Sequence, residues 1–286
     1  MKQIIPMTED NKKIGQTIIT NDCLQVFFIN GSASDESPAI MKTYAEHLDI
    51  FLVFEGELKL KVFNQTKTLQ AGDLFFCTRS TYTELQTGNQ SFSYVRLRFL
   101  KDKIAESSLE SRFAASLLDY DIIKQKIFNH MLSLIGFMET EREKLSKEEA
   151  VFIENESLEI LRVLELMISR EHEILQIFPN KVLENDLMVR AVNIFEENVN
   201  GDLKVYDVAK QVNVSTSYLT RVFRRHLGVV PNVFWKTIKV NYSLSMISLK
   251  LESISEIAYS LGFTDQSHFT SCFKEYLHTT PGKVTT

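Results

Sequence analysis

Several features that would assign this chain to a special class are scarce or missing. It contains three cysteines, Cys23, Cys77 and Cys272, which are far apart and lack metal-ligand spacing. That pattern excludes a disulfide framework and suits a reducing cytoplasm. The sequence has no apolar run long enough for a membrane-spanning helix. Its opening, MKQIIPMTEDNKK, is too polar for a secretory signal, and we expect a cytoplasmic protein.

The residue groups that carry catalysis are missing as well. The sequence shows no nucleophile–base pairing, no glycine-rich phosphate loop and no cluster of metal-ligating side chains. Nucleophilic, phosphoryl-transfer and metal-assisted chemistry each need such a group. We therefore predict that the chain is not an enzyme and that it needs no cofactor.

Charge is distributed unevenly along the chain. The 286 residues carry a net charge of −5 and are 44% hydrophobic, which fits about two globular domains. Residues 1–180 have a net charge of −7, whereas residues 181–286 have a net charge of +2. This asymmetry predicts an acidic regulatory part followed by a part that binds nucleic acid.

The stretch from Lys204 to Lys250 follows the pattern of a helix-turn-helix. Apolar residues at helical spacing predict a short helix over Val205–Val212, and Asn213-Val214 makes the turn. Ser215 is a suitable N-cap for a second helix, which Gly228 closes. In such a unit the second helix lies in a DNA major groove.

The same stretch is locally basic. It holds eight Lys or Arg residues against one acidic residue, Asp207. Arg221, Arg224 and Arg225 fall on or beside the polar face of the second helix, where a phosphate-rich partner requires positive charge. The alternative is a solvated basic face on an ordinary helical bundle.

A second copy of the unit follows the first. Ser253 and Glu256 form a capping box that opens a helix, and Gly262 ends that helix. Asp265 can cap the next helix, which we predict over Gln266–Tyr276. An internal repeat of this kind favours two helix-turn-helix units over a generic bundle.

The second copy resembles the C-terminal signature of the AraC/XylS family of bacterial transcription regulators. The residues that carry the resemblance are Ile257-Ala258, Leu261-Gly262-Phe263, Asp265, Ser267-His268-Phe269, Phe273-Lys274 and Thr280-Pro281. The first copy is similar to the family at Val208-Ala209, Val214-Ser215, Tyr218-Leu219, Arg221-Val222-Phe223, Gly228 and Pro231. The resemblance implies a DNA-binding domain over 181–286, with a first helix over Leu183–Asn198 and a linking helix over Asn232–Lys250.

The resemblance also implies which residues contact DNA. The family position that matches Arg221 reaches base edges, and an arginine can bond guanine through two nitrogens. Gln266, His268 and Ser271 are expected to face outward on the second recognition helix. The complete set of expected contacts is Ser215, Thr216, Ser217, Thr220, Arg221, Arg224, Arg225, Lys239, Gln266, Ser267, His268, Ser271 and Lys274.

The N-terminal part has the pattern of a β-structure. Turn residues separate short apolar runs at Thr17–Ile19, Leu24–Ile29, Ile50–Phe54, Leu58–Phe63, Asp73–Cys77 and Phe92–Phe99. Strands at this spacing predict a barrel or a double-sheet roll. The segment LVFEGELKLKV followed by LQAGDLFF is similar to a cupin roll, as found at the N-terminus of many AraC-family regulators. We place this regulatory roll at residues 1–103.

The similarity to cupins does not extend to a metal site. Metal-binding cupins present several His with a Glu, whereas only His47 is near here and the later ligand position reads Thr81-Tyr82-Thr83. We therefore predict no metal. A barrel can enclose a small-molecule ligand. Arg79, Arg96 and Arg98 are candidate contacts for an anionic ligand, and the alternative is that they are salt-bridged surface residues.

Residues 104–178 show helical spacing. Phe113, Leu117 and Leu118 lead to helices that we predict over Ile122–Leu145 and Ala150–Phe178. These helices are expected to cover the roll. The resemblance implies that they also form a homodimer contact, and the alternative is that they only pack on the roll. Pro179-Asn180 is the expected linker to the DNA-binding domain.

Together these features predict an α+β protein with a cupin-like roll, flanking helices and a C-terminal all-α domain with two helix-turn-helix units. The predicted function is that of a sequence-specific transcription activator. Its expected partners are double-stranded DNA, RNA polymerase, and a small-molecule effector or regulatory protein at the N-terminal domain. The alternative is a cupin-like protein-interaction module with weak or no specific DNA binding.

Overall fold

The computed structural model of the protein describes residues 2–5, 14–20, 24–31, 40–45, 48–63, 65–78, 81–88, 90–99, 113–118, 121–138, 146–168, 174–179, 182, 185–249, 252–278 and 280–282. Three residues discussed above, Cys23, His47 and the candidate ligand contact Arg79, lie outside these ranges. Strands occupy the N-terminal part and helices the C-terminal part, which confirms the predicted α+β class.

The strands form two antiparallel sheets, which we call the roll. Their bounds are β1 Lys2–Ile5, β2 Ile14–Thr20, β3 Leu24–Gly31, β4 Ile40–Ala45, β5 Leu48–Glu55, β6 Glu57–Val62, β7 Gln65–Gln70, β8 Leu74–Thr78, β9 Thr81–Thr87, β10 Phe92–Phe99, β11 Phe113–Leu118 and β12 Ile174–Pro179. The large sheet has the order β1-β2-β3-β10-β5-β8-β11-β12, and the small sheet has the order β4-β9-β6-β7. The residues Thr81-Tyr82-Thr83, at the ligand position of a metal-binding cupin, lie in β9.

The described residues also form eight helices. Their bounds are α1 Asp121–Met138, α2 Lys147–Ile168, α3 Asp186–Glu197, α4 Val205–Gln211, α5 Thr216–Leu227, α6 Pro231–Leu249, α7 Ile254–Ser260 and α8 Gln266–Leu277. None of the helices in the described ranges is both long and apolar enough to cross a membrane.

Strands β5 and β10 of the large sheet are buried on both faces. Side chains alternate along β5 and β10, so that successive residues point to opposite sides. Phe51 and Tyr94 face the small sheet and form the inside of the roll. Leu52 and Val95 face the other way and pack against α1 and α2. The prediction that helices cover the roll is therefore confirmed.

Residues 104–178 are not helical throughout, which corrects the prediction. Phe113–Leu118 and Ile174–Pro179 are strands that pair with each other, and β11 also pairs with β8. Spacing alone does not distinguish a short apolar run in a strand from one in a helix. Pairing with β8 satisfies the backbone of β11, and this tertiary contact decides the outcome. The predicted linker residue Pro179 ends β12, and Asn180 lies outside the described residues.

Helix α6 lies between the roll and the other C-terminal helices. The buried apolar side chains of this helix include Phe234, Ile238, Leu244 and Ile247. The hydrophobic cluster inside the roll continues through these residues into α3, α5 and α8. The roll and the helical part therefore share one core, which the sequence did not predict.

Candidate nucleic-acid interface

The first helix-turn-helix motif consists of α4, a tight turn and α5. Asn213 turns the chain with a left-handed φ of 59°, which asparagine tolerates better than most residues. The Ser215 hydroxyl caps α5 by accepting a 3.2 Å hydrogen bond from the backbone N–H of Tyr218. Leu219 and Phe223 are buried, so the opposite face of α5 points outward. These features confirm the predicted motif.

The second motif, α7 and α8, is built in the same way. The Ser253 side chain accepts from the Glu256 backbone N–H at 3.3 Å, and the Glu256 carboxylate accepts from the Ser253 N–H at 2.7 Å. The hydrogen bond from the Ser253 backbone lowers the pKa of Glu256. Asp265 caps α8 by accepting a 2.8 Å hydrogen bond from the His268 N–H. The predicted capping box and N-cap are both confirmed.

The two recognition helices, α5 and α8, correspond residue by residue. Ser215 and Asp265 cap them, and Phe223 and Phe273 occupy equivalent buried positions. At their C-terminal ends Gly228 and His278 both adopt the left-handed conformation, with φ of 75° and 55°. The equivalence identifies which outward residues of one motif match those of the other.

Most of the predicted DNA contacts share one outward face in each motif. Exposed residues of this set are Ser215, Thr216, Ser217, Arg221, Arg224 and Arg225 at the first recognition helix, and Gln266, Ser267, His268, Ser271 and Lys274 at the second. Thr220 is half-buried, and its hydroxyl donates a 2.8 Å hydrogen bond to the carbonyl oxygen of Thr216. The Ser215 hydroxyl is already occupied by capping. Repeated exposure of matching positions gives two similar polar surfaces.

Lys239 lies elsewhere, which corrects the expectation that it contacts DNA. Its side chain is 6% exposed, and its Nζ donates a 3.3 Å hydrogen bond to the carbonyl oxygen of Gly201. The Nζ also lies 4.6 Å from the centre of the Trp235 ring. Burial lowers the pKa of Lys239 to about 8. A buried ammonium held in this way does not reach a phosphate.

Lys239 instead belongs to a joint that holds the second motif in place. Gly262, in the turn between α7 and α8, has a φ of 67° and lies so close to Gly201 that a Cβ would collide with the Gly201 carbonyl oxygen. The Phe263 ring lies 5.6 Å from the Lys239 Nζ. Thus α6, the segment after α3 and the second turn meet at one point, which fixes the spacing of the two motifs.

Tyr218 carries part of the resemblance but was not among the predicted DNA contacts, although it lies on the same outward face. Its exposed ring lies 5.1 Å from the Arg221 guanidinium, which favours one position of that side chain. The spacing of three residues between Tyr218 and Arg221 on one helix was the available signal. His268, at the corresponding position of the second motif, packs edge-on against Phe263 at 5.4 Å.

The first motif presents more uncompensated positive charge than the second. Arg224 and Arg225 are exposed in the last turn of α5, and no ion pair involves them within the described part of the chain. The position that matches Arg225 is occupied by Glu275, which forms a 2.9 Å ion pair with Lys42 of the roll. The electrostatic attraction for phosphate is therefore concentrated at α5.

A second polar site lies inside the roll, beside α6. Arg96 and Arg98 of β10 both bond the carboxylate of Asp49, which is 1% exposed. Burial lowers the pKa of Arg96, and neighbouring Arg98 adds to this effect, while Asp49 opposes it. The two arginines are salt-bridged, as one alternative held, but they are buried rather than on the surface.

The neighbouring Gln25 completes this buried group. It is fully buried, and its Nε2 donates a 3.2 Å hydrogen bond to the Ser245 hydroxyl of α6. Among the described residues, none donates a hydrogen bond to its Oε1. The site thus contains two guanidinium groups, one carboxylate and one amide oxygen to which no described residue donates. We call Gln25, Asp49, Arg96 and Arg98 the buried cluster.

Comparisons with known proteins agree with this geometry. Residues 208–286 match the family described as a helix-turn-helix domain. The chain is 27% identical over 276 residues to the Msm operon regulatory protein of Streptococcus mutans, a match that covers 93% of each chain. It is 23% identical over 228 residues to the lactose operon transcription activator of Staphylococcus xylosus, covering 79% of each. It is also 23% identical over 239 residues to the raffinose operon regulatory protein RafR of Pediococcus pentosaceus.

The fold is also similar to a solved structure. Crystals of ToxT from Vibrio cholerae with a bound unsaturated fatty acid contain a chain that is 17% identical, with a TM-score of 0.55. The match covers 92% of the present chain and 95% of ToxT. The helix-turn-helix match and the regulator relatives identify the chain as a DNA-binding transcription regulator, and the resemblance of its paired motifs to the AraC/XylS family agrees with this.

Proposed function

We propose that the protein binds a specific operator through α5 and α8 together and that bound protein activates transcription by contacting RNA polymerase. The observation that carries this proposal is the repeat of a capped recognition helix, with matching outward residues, on both sides of α6. The activating role is supported by the relative named as a lactose operon transcription activator.

The length of α6 suits simultaneous binding by both motifs. Its nineteen residues span roughly 28 Å at ~1.5 Å per residue. Successive major grooves on one face of DNA are about 34 Å apart. Because α6 is buried along most of its length, it serves as a rigid spacer, and one monomer covers about two turns of duplex.

We assign different roles to the two motifs. Arg221 reads base edges in the major groove, and the exposed Arg224 and Arg225 neutralise phosphates. On α8, Gln266, His268 and Ser271 supply polar readout with less charge. The first motif therefore supplies most of the affinity, and the second supplies orientation and additional specificity.

The N-terminal part is assigned a regulatory role. We assign residues 1–103 to the regulatory part of the roll and residues 104–178, which add β11 and β12 to the roll, to a region of homodimer contact. Residues 181–286 are the DNA-binding domain. Leu132 of α1 is 44% exposed and Val151 of α2 is 56% exposed, which offers apolar surface to a second copy. Sedimentation of the wild type and of Leu132→Glu/Val151→Glu tests the contact, and an unchanged mass would rule it out.

We assign effector binding to the buried cluster. The curated relatives named for lactose and raffinose operons favour a carbohydrate as the effector, whereas ToxT has been crystallised with a fatty acid. A carbohydrate hydroxyl can donate a hydrogen bond to Gln25 Oε1, the acceptor in the cluster to which no described residue donates. Thermal shift with a panel of sugars and fatty acids tests this. The shift should come from a sugar and should disappear in Gln25→Leu.

The experiment that tests DNA recognition is a footprint of the purified protein on the promoter regions of its own genome. We expect a protected site of about two helical turns per monomer. Competition against random duplex then measures specificity. Equal affinity for the protected site and for random duplex at all salt concentrations would overturn the proposal.

A further inference from the structure

Strand β4 of the roll and the C-terminal end of α8 are joined by several contacts between residues far apart in the chain. Lys42 forms a 2.9 Å ion pair with Glu275, and its Nζ also lies 4.6 Å from the centre of the Tyr276 ring. One turn further on, the Nε2 of His278 donates a 2.8 Å hydrogen bond to the carbonyl oxygen of Ile40. These contacts tie the second motif directly to the roll.

The internal repeat shows that these contacts are particular to the second motif. Glu275, Tyr276 and His278 correspond to Arg225, His226 and Gly228 at the end of α5. Arg225 is exposed and carries the opposite charge, and Gly228 has no side chain. All three replacements in the second copy contact β4, whereas the buried positions Phe223 and Phe273 remain alike. The residues that meet the roll therefore differ between the two copies, while the buried framework is the same.

The outward face of α8 stays open in this arrangement. Gln266, Ser267 and Ser271 are exposed at its N-terminal end and along its outer side. Glu275 and Tyr276 lie at the opposite end, against β4. The docked position is therefore compatible with insertion of the N-terminal half of α8 into a groove.

We propose that Lys42, Glu275, Tyr276 and His278 form an intramolecular latch that positions the second motif on the roll. In the latched molecule α8 is already oriented relative to α5, so operator binding by both motifs loses less conformational freedom. The latch is also the route by which a change in the buried cluster alters operator affinity, because Arg98 donates a hydrogen bond to the Tyr44 carbonyl oxygen of β4. This inference deepens the proposed function and rests on it for its consequence at DNA.

The test of the latch itself is hydrogen–deuterium exchange of the full chain without DNA. In Lys42→Glu, peptides over 266–278 should exchange about two- to fivefold faster, since an exposed ion pair and its reversal change local opening by that order. The matched control is Lys59→Glu, which makes the same charge change at an exposed lysine of β6. The charge-swapped Lys42→Glu/Glu275→Lys should return to the wild-type rate.

A second variant protects the test against damage to the roll. His278→Gly keeps the left-handed backbone, changes no residue of the roll and removes the hydrogen bond to Ile40. It should speed exchange over 40–45 as well as over 266–278. Equal rates for Lys42→Glu and Lys59→Glu, no recovery in the swapped variant, or no effect of His278→Gly would each overturn the latch.

The consequence at DNA is measured separately. Lys42→Glu should weaken binding to the full footprinted operator about two- to fivefold relative to Lys59→Glu. Both variants should bind alike to a duplex in which only the half-site of the first motif is kept. If the wild type binds neither duplex specifically, the proposed function fails while the exchange result still decides the latch. If Lys42→Glu speeds exchange but weakens binding equally to the full operator and to the half-site duplex, the latch does not position the second motif.

Discussion

The guanidinium of Arg98, inside the roll, donates a 2.6 Å hydrogen bond from Nη2 to the Oδ1 of Asn241 in the middle of α6. The same nitrogen donates to the carbonyl oxygen of Tyr44 at 3.0 Å. Asn241 in turn donates from Nδ2 to the Thr237 carbonyl oxygen of its own helix at 2.7 Å. One buried charge thereby connects the large sheet, β4 and the linking helix.

Loss of the Asp49 carboxylate should destabilise the protein strongly. Asp49→Asn leaves two buried guanidinium groups without a counter-charge, and removing one partner of such a group costs about 3–5 kcal/mol. Urea denaturation at neutral pH measures the loss. Glu57→Gln, an exposed carboxylate on β6, is the matched control and should change stability little. Equal midpoints for the two variants would show that the buried cluster does not hold the roll together.

Arg221→Ala should reduce discrimination between the operator and random duplex by about tenfold or more. A bidentate arginine–guanine contact contributes ~1–3 kcal/mol of discrimination, and the exposed Arg221 is the residue placed for it. Fluorescence anisotropy with both duplexes measures the ratio of affinities. Arg190→Ala removes an exposed arginine from α3 and should leave the ratio intact. A folded Arg221→Ala protein with wild-type discrimination would remove Arg221 from the base-reading role.

The salt dependence of binding should reveal the unequal motifs. Replacing Arg224 and Arg225 together by alanine should reduce the slope of log affinity against log salt by about two phosphate contacts. Lys274→Ala should reduce it by at most about one. Titrations of both variants on one operator duplex compare them directly. An equal loss of slope in the two variants would show that the first motif does not supply most of the electrostatic attraction for DNA.

The free energy of unfolding should change with pH in the alkaline range because of Lys239. Its pKa of about 8 in the folded protein lies below the ordinary value of 10.5, so the unfolded chain binds more protons between these values. Stability of the wild type should therefore rise with pH across that window, by up to about 3 kcal/mol. Lys239→Met should lack this rise.

Thermal unfolding of the wild type and of Lys239→Met at pH 7.5 and pH 10 measures the effect, with pH values chosen on the two sides of the ~8 pKa. The stability of the wild type relative to Lys239→Met should be higher at pH 10 than at pH 7.5. Lys236→Met, on the same helix and only half-buried, serves as the control. Parallel curves for the wild type and Lys239→Met would contradict a buried, titrating Lys239.

The helical part was predictable because its signals are local. Ser215, Asp265 and the Ser253–Glu256 box each mark a helix start within four residues of the chain, and Gly228 marks an end. The strands of the roll were partly predictable, since β5, β6, β8 and β10 contain apolar runs. Strands β4, β7 and β9 were not, because IMKTYA, QTKTLQ and TYTELQT are rich in polar residues.

What remained hidden depends on contacts between distant residues. Nothing in the sequence pairs Asp49 with Arg98 or Lys42 with Glu275, because only the folded roll and α6 bring them together. The burial of Lys239 had a weak signal, since it lies four residues after Trp235 and so shares its helix face. Family resemblance suggested an exposed cation there, and local packing decided otherwise.

Strand β4 lies at the edge of the small sheet, where an unpaired backbone is a template for aggregation. In the intact chain the carbonyl oxygens of Ile40 and Tyr44 accept hydrogen bonds from the side chains of His278 and Arg98. Tyr44 also packs edge-on against Phe234 of α6 at 5.1 Å. The DNA-binding half thus covers the exposed edge of the small sheet. A fragment that ends before α3 should leave β4 uncovered and associate through it into oligomers.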